Sequence, residues 1–120
     1  MKFHKTTLQD VVLIEMTPFG DNRGWFGRSF CMKEFAENNL EVSYPQHNTG
    51  YSKKKGTVRG LHFQTAPFAQ DKLVRVTRGS ILDVAVDLES ALGDDAQALA
   101  HDGEVVADDR DSADLAGQRP

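Results

Sequence analysis

Apolar residues in the first three-quarters of the chain come in short runs that are separated by Gly, Pro, Asn and Asp. Short apolar runs between turn-forming residues are typical of β-strands, whereas amphipathic helices repeat apolar positions every three to four residues over a longer stretch. The pattern therefore predicts an all-β domain with strands over residues 11–16, 24–30, 46–52, 57–64, 72–77 and 81–88.

Two further elements follow from the same pattern. Residues 32–39 predict one short surface helix, because Phe35 and Leu40 flank acidic and amide residues and two asparagines close the segment. The last two strands are predicted to form a hairpin, since the short link between them contains Gly79. Many short strands joined by such turns favour a jelly roll or a sandwich, and periodicity alone does not choose between them.

The distribution of charge divides the chain near Leu88. Residues 1–88 carry twelve Lys or Arg against nine Asp or Glu, whereas residues 89–120 carry two against nine. All ten aromatic residues lie at or before Phe68, and Asp and Ala dominate the last thirty-two positions. We therefore expect a folded unit over residues 1–88 and an acidic tail over 89–120 that is largely disordered or weakly helical.

Several classes of protein are disfavoured by composition. A single cysteine, Cys31, permits neither an internal disulfide nor a thiolate metal cage. The apolar run 11–14 is far shorter than a signal peptide requires, and no stretch approaches the ~20 apolar residues of a membrane span. Three consecutive lysines, 53–55, are more typical of a solvated turn than of a phosphate-binding patch. We therefore expect a cytoplasmic protein with no nucleic-acid and no membrane partner.

The most informative residues for chemistry are His62 and Lys72. On strands, alternation aligns each of them with apolar neighbours, so that both would line a partly desolvated pocket. An imidazole titrates near neutrality and is the commonest general base in enzymes. The pair therefore predicts proton-transfer chemistry, although a lone histidine in a strand is ordinarily structural.

The spacing around these residues resembles the outline of the metal-binding cupin motif, with five residues between Gly56 and His62 and six between Lys72 and Gly79. Two ligand types differ, because Gln64 stands where that motif has His and Lys72 stands where it has Glu. A lysine would repel a divalent ion, so we expect no metal site. Its ammonium group can instead stabilise negative charge on a carbonyl oxygen, which predicts proton abstraction beside a carbonyl with His62 as base.

Five further segments stand out along the chain: 21–26 (DNRGWF), 46–48 (QHN), 58–64 (VRGLHFQ), 72–74 (KLV) and 79–88 (GSILDVAVDL). In order and spacing they resemble the dehydrorhamnose 3,5-epimerase family. This resemblance implies a cupin jelly roll, or double-stranded β-helix, that usually forms a homodimer. It also implies epimerisation at C3 and C5 of dTDP-4-dehydro-6-deoxyglucose, a step of dTDP-rhamnose biosynthesis, without a metal or cofactor.

The same resemblance assigns roles to individual residues. It implies that His62 is the base and that Lys72 lies near the substrate keto group. Guanidinium groups bind diphosphate oxygens through paired hydrogen bonds, which suits the two arginines among the implied substrate-binding residues. Those substrate-binding residues are Arg23, Gln46, Asn48 and Arg59.

The chain also departs from the family pattern. Arg28 stands where the family has Glu, and no tyrosine follows Leu88, although the family takes a tyrosine acid and an aspartate partner of the base from its second half. We therefore expect a family member that is truncated or frameshifted after about residue 88. The alternatives are a non-catalytic nucleotide-sugar-binding module or inactive fragment, and a metal cupin, which would contain bound metal.

Overall fold

The computed structural model describes residues 1–87, 96–101, 104–108 and 112–114, the last three ranges by their backbone. Nine of the ten elements in these ranges are short strands, in agreement with the predicted all-β class. The elements are β1 (Lys2–Lys5), β2 (Val11–Glu15), β3 (Phe19–Asp21), β4 (Gly24–Phe26), α1 (Met32–Glu37), β5 (Asp71–Arg75), β6 (Ile81–Asp87), β7 (Ala96–His101), β8 (Glu104–Asp108) and β9 (Ser112–Asp114).

The described strands pair into three antiparallel sheets. The largest has the order β1-β2-β8-β5, a second consists of β7-β6-β9, and the third is the hairpin β3-β4. Strands that are distant in the chain therefore lie side by side, which is typical of sandwiches and jelly rolls.

Strand β2 contributes to two buried clusters, one on each face of its sheet. Val11 packs with Leu8 and with Ala85 of β6, so this face is directed towards the β7-β6-β9 sheet. Ile14 lies on the opposite face by strand alternation and packs against Phe35 of α1. The side chains of Ile14 and Phe35 are 1% and 0% exposed. The sheet is consequently covered on both sides.

Helix α1 is the predicted surface helix, and it is shorter than the sequence pattern suggested. Its turns end at Glu37 because Asn39 takes a positive φ of 58°, a conformation that asparagine tolerates better than most residues. The Asn38 side chain donates to the carbonyl oxygen of Glu34 at 2.8 Å. These contacts close the last turn and leave Phe35 as the buried residue of the helix.

Glu34 connects α1 to two other parts of the chain. Its carboxylate accepts a hydrogen bond from the Met1 amino group at 2.9 Å and from Arg28 Nη1 at 2.7 Å. These donors, the amino group most of all, hold the pKa of Glu34 below its ordinary value of 4.5. The carboxylate therefore joins the start of β1 and the segment after β4 to the helix.

Of the six predicted strands, three agree closely with the structure, the strand predicted over 24–30 is limited to β4 (Gly24–Phe26), and two are wrong. Residues 46–52 and 57–64 lie in irregular backbone, apart from an isolated β-bridge at His62. Their apolar side chains do not meet a sheet: Tyr51 is 82% and Val58 86% exposed. Gly56 and Gly60 also take φ values of 76° and 110°, which interrupt an extended strand.

The predicted hairpin between the last two strands is also wrong. Strands β5 and β6 form where expected, but they belong to different sheets. Strand β8 pairs with β5, while β7 and β9 flank β6 on both sides. The link through Gly79, which has a φ of 84°, is thus a turn from one sheet to the other.

Three strands, β7, β8 and β9, lie within the segment for which we predicted disorder or weak helicity. Strands β7 and β9 pair with β6, and β8 pairs with β2 and β5. The predicted boundary at Leu88 and the remainder of the tail lie outside the described residues. No helix in the part of the chain that the structure describes is long and apolar enough to cross a membrane.

Replacement of Phe35 by Ala is expected to lower the free energy of unfolding by about 3–5 kcal/mol, because it removes a fully buried ring from the Ile14 cluster. Urea denaturation followed by circular dichroism measures the change. The matched control is Phe68→Ala, where the ring is 70% exposed and the change should stay within about 0.5 kcal/mol. Equal losses in both variants would contradict the proposed core.

Replacement of Glu34 by Gln is expected to destabilise the protein at pH 7 and to have a diminishing effect in acid. A depressed pKa in the folded state contributes stability that is present above the ordinary pKa and is lost as the pH falls through the folded-state value. Unfolding free energies of both proteins between about pH 7 and pH 3 should therefore converge. The control is Glu37→Gln, an exposed carboxylate on the same helix, and a gap that persists at pH 3 would exclude the ionised carboxylate as its cause.

Candidate active site

Strand β5 places Lys72 on the face of its sheet that is directed towards β6. Lys72 is opposite Ala107 in β8, and Ala107 is opposite Val11 in β2. Directly paired residues in an antiparallel sheet share a face, so Lys72 lies on the same face as Val11, which packs against Ala85. The neighbouring Leu73 packs on the other face with Ile14, as alternation requires. The lysine is half-buried between the two sheets.

A buried carboxylate lies on the facing strand, and the sequence analysis missed it. Asp83 is 8% exposed, and alternation along β6 gives it the same face as Ala85. Buried carboxylates need a charged or hydrogen-bonding partner, so the space between the sheets is polar as well as apolar. The signal was present in the sequence, because aspartate is depleted in strand interiors and stands here in the middle of an apolar run.

His62 lies in an irregular segment rather than on the predicted strand. Its ring is half-buried, and the Nε2 atom is shielded from solvent without a hydrogen-bond partner among the described residues. A buried polar atom of this kind has lost its hydrogen bonds to water, which is unfavourable. A hydrogen bond to a substrate or to a further protein group would offset that loss. The imidazole is therefore suited to exchange a proton with a bound molecule.

Arg59 closes the irregular segment into a loop. Its Nε donates to Ser52 Oγ at 3.2 Å and its Nη2 to the carbonyl oxygen of Tyr51 at 3.0 Å. These contacts join two stretches of the chain. Asn48 lies three residues before Tyr51, and His62 lies three residues after Arg59. Thr57 Oγ1 donates to the carbonyl oxygen of Lys54 at 2.7 Å within the loop. Arg59 thus holds two of the predicted site segments next to each other.

The remaining predicted substrate-binding residues are exposed. Gln46 and Asn48 lie in extended irregular backbone, with both side chains open to solvent. Arg23 lies in the two-residue turn of the hairpin β3-β4 and contacts the Asp21 carboxylate. The structure therefore places Lys72 on β5 and Arg23 at the hairpin turn. The other four predicted residues, Gln46, Asn48, Arg59 and His62, lie in the irregular backbone before β5. Their joint action at one site stays a prediction.

Arg28, the residue that departs from the family pattern, is engaged by the helix. Its guanidinium donates to Glu34, and this hydrogen bond raises the pKa of Arg28 above its ordinary value. An arginine paired in this way has fewer free donors for a ligand. Across residues 1–87 and the three described strands that follow, no three His, Cys, Asp or Glu side chains are grouped to hold a metal ion.

Comparison with known proteins agrees with the resemblance in the motifs. The sequence model of the dTDP-4-dehydrorhamnose 3,5-epimerase family matches residues 5–96. An enzyme of that name from Sinorhizobium fredii is 50% identical over 88 residues, which cover 73% of this chain and 45% of the relative. Its counterpart in Escherichia coli is 45% identical over 89 residues, covering 73% and 48%. The chain thus spans about half the length of the curated relatives it matches.

Solved structures of such epimerases resemble the fold. The enzyme from Elizabethkingia anophelis has a TM-score of 0.77 at 30% identity, over 98% of this chain and 68% of that one. The enzyme from Bacillus anthracis, solved with TDP and PPi bound, has a TM-score of 0.70 at 36% identity, over 98% and 65%. These likenesses confirm the all-β, cupin jelly-roll fold. With a family model that matches most of its length, this chain belongs to the dTDP-4-dehydrorhamnose 3,5-epimerase family.

Proposed function

We propose that this chain carries the proton-abstracting half of an isomerase that inverts C3 and C5 of dTDP-4-dehydro-6-deoxyglucose, in the synthesis of dTDP-rhamnose. His62 takes the proton from the carbon next to the C4 keto group. The electron pair of that C–H bond passes into the C4 carbonyl and gives an enolate. Return of a proton to the opposite face of the carbon inverts its configuration, so no electrons are gained or lost and no redox cofactor is required.

The observation that carries this proposal is the shielded Nε2 atom of His62. A base must be unprotonated and within reach of the carbon acid, and a ring nitrogen that no described group engages is free to accept a proton. An exposed imidazole would instead be hydrogen-bonded to water. The shielding therefore favours a catalytic role over a merely structural one.

Lys72 has the complementary role of stabilising the enolate oxygen. It occupies the inner sheet face, where a lower effective dielectric strengthens the attraction between an ammonium group and an oxyanion. Asp83 is buried on the facing strand, so a second polar group lines the same interior. The lysine thereby supplies the electrostatic stabilisation that a metal ion provides in other cupins.

Recognition of the nucleotide diphosphate is assigned to Arg23 and Arg59, with Gln46 and Asn48 binding the remaining polar groups. Support comes from relatives: the Bacillus anthracis structure holds TDP and PPi, and the Legionella pneumophila epimerase, at a TM-score of 0.70 and 25% identity, was solved with dTDP-4-keto-L-rhamnose. We further propose that the protein acts in the cytoplasm as a homodimer. Exposed rings on the hairpin β3-β4, at Phe19, Trp25 and Phe26, suit burial against a second copy.

A non-catalytic nucleotide-sugar-binding module is the second candidate. The observation in its favour is the exposure of Arg23, Gln46 and Asn48, whose side chains can bind a nucleotide sugar whether or not His62 abstracts a proton. The two candidates therefore differ in whether the substrate exchanges protons with solvent.

The His62→Asn variant is expected to reduce solvent deuterium incorporation at C3 and C5 of the 4-keto sugar by about 10²–10⁴-fold, because it removes the base. Nuclear magnetic resonance of the sugar in D₂O measures the rate. His4→Asn is the matched control, since His4 lies on β1 and pairs with Glu15 away from the proposed site. Wild-type protein that binds dTDP but incorporates no deuterium would establish the binding module instead.

The Lys72→Met variant is expected to slow the same exchange by about 10²–10³-fold with the substrate at saturation, because the enolate loses its cationic partner. Methionine replaces all of the unbranched side chain except the terminal ammonium group, so packing between the sheets changes little. Lys5→Met, at an exposed position of β1, is the control. An unchanged exchange rate in Lys72→Met would exclude the proposed stabilisation of the enolate.

A further inference from the structure

The turn of the hairpin β3-β4 holds an arginine and an aspartate in a fixed mutual arrangement. Asp21 and Gly24 are the last paired residues, with Asn22 and Arg23 between them. Asp21 Oδ1 accepts the backbone N–H of Arg23 at 2.9 Å, and Asp21 Oδ2 accepts Arg23 Nε at 3.0 Å and also contacts Nη2. The carboxylate is thus anchored by the turn itself and in turn fixes the guanidinium.

The contacts occupy only one edge of the guanidinium group. A guanidinium carries five N–H donors in a planar fork, and Asp21 takes the edge formed by Nε and Nη2. The edge formed by Nη1 and the second Nη2 hydrogen is left over, and the Arg23 side chain is 85% exposed. That edge has the spacing for two oxygens of a phosphate group, so Arg23 can hold Asp21 and an anionic ligand together.

Two opposite effects of Asp21 on an anionic ligand must be weighed. Its negative charge repels a diphosphate, but Arg23 compensates much of that charge at contact distance. An exposed arginine without such a partner samples many rotamers, and a ligand that binds it bears the entropy cost of ordering it. In water, where charges at a distance are strongly screened, the ordering effect is the larger of the two.

We propose that Asp21 is a positioning residue that orders the Arg23 guanidinium for a diphosphate ligand. This inference rests on the proposed function in one respect, the assignment of Arg23 to the diphosphate. Because exposed ion pairs contribute little to folding, the contribution of Asp21 is to ligand binding and hardly to stability.

The test compares dTDP binding by calorimetry in the full chain and its variants. Asp21→Ala is expected to weaken binding about two- to tenfold, and Asp21→Asn, which keeps an acceptor for the turn and for Arg23, by less. Asp21→Ala combined with Arg23→Ala should bind no more weakly than Arg23→Ala alone. Glu37→Gln removes another exposed carboxylate that pairs with a cation, on α1, and should leave binding unchanged. The melting temperature should be the same in the wild type and in all five variants.

A second measurement separates this inference from the proposed function. The Arg23 Nε–H resonance in the ligand-free protein should show restricted motion in the wild type and increased motion in Asp21→Ala. Tighter dTDP binding in Asp21→Ala, a free Arg23 side chain in the wild type, or additive losses in the double variant would each overturn the positioning role. If Arg23 is ordered in the wild type but the wild type does not bind dTDP, the proposed nucleotide site is rejected. The role of Asp21 in ligand binding is then rejected as well.

Discussion

The packing of β2 on both of its faces is the constraint on which the described structure depends. On one face, Val11 joins the β1-β2-β8-β5 sheet to β6, and on the other Ile14 joins it to α1. Since both positions belong to one five-residue strand, a register shift of one residue would exchange the two faces and break both clusters. The same register places Lys72 on the inner face of the sheet. The position of this candidate catalytic group therefore depends on the packing of β2.

The candidate catalytic groups are held in different ways. Lys72 belongs to a strand, whose hydrogen bonds fix its direction, whereas His62 belongs to an irregular segment that Arg59 closes. A base on a loop can approach a substrate and adjust to it, while a fixed cation defines where negative charge is best tolerated. This division suits the proposed reaction, in which protons are removed from two different carbons beside one carbonyl, because the oxyanion would keep its place while the attacked carbon changes.

Sequence patterns predicted those elements whose apolar residues are buried by neighbouring strands. Strands β2, β5 and β6 were anticipated to within a residue or two, because their β-branched runs match a sheet interior. Segments 46–52 and 57–64 have similar alternation, but exposed side chains, and a pattern does not reveal whether a partner surface exists. Tertiary contacts decide which distant strands pair, so the sequence pattern could not show that β5 and β6 belong to different sheets and form no hairpin. The burial of Asp83 was not predicted because the pattern along one strand does not show which sheet will cover it.

The position of β8 between β2 and β5 has a consequence for how the protein reaches its native state. Residues 104–108 must insert between strands that begin at residues 11 and 71, so the sheet closes only after contacts over some of the greatest separations in the chain have formed. Such long-range closure slows folding, and meanwhile the apolar faces of β2 stay accessible to other unfolded molecules. Expression at low temperature or with chaperones should accordingly improve the recovery of native protein.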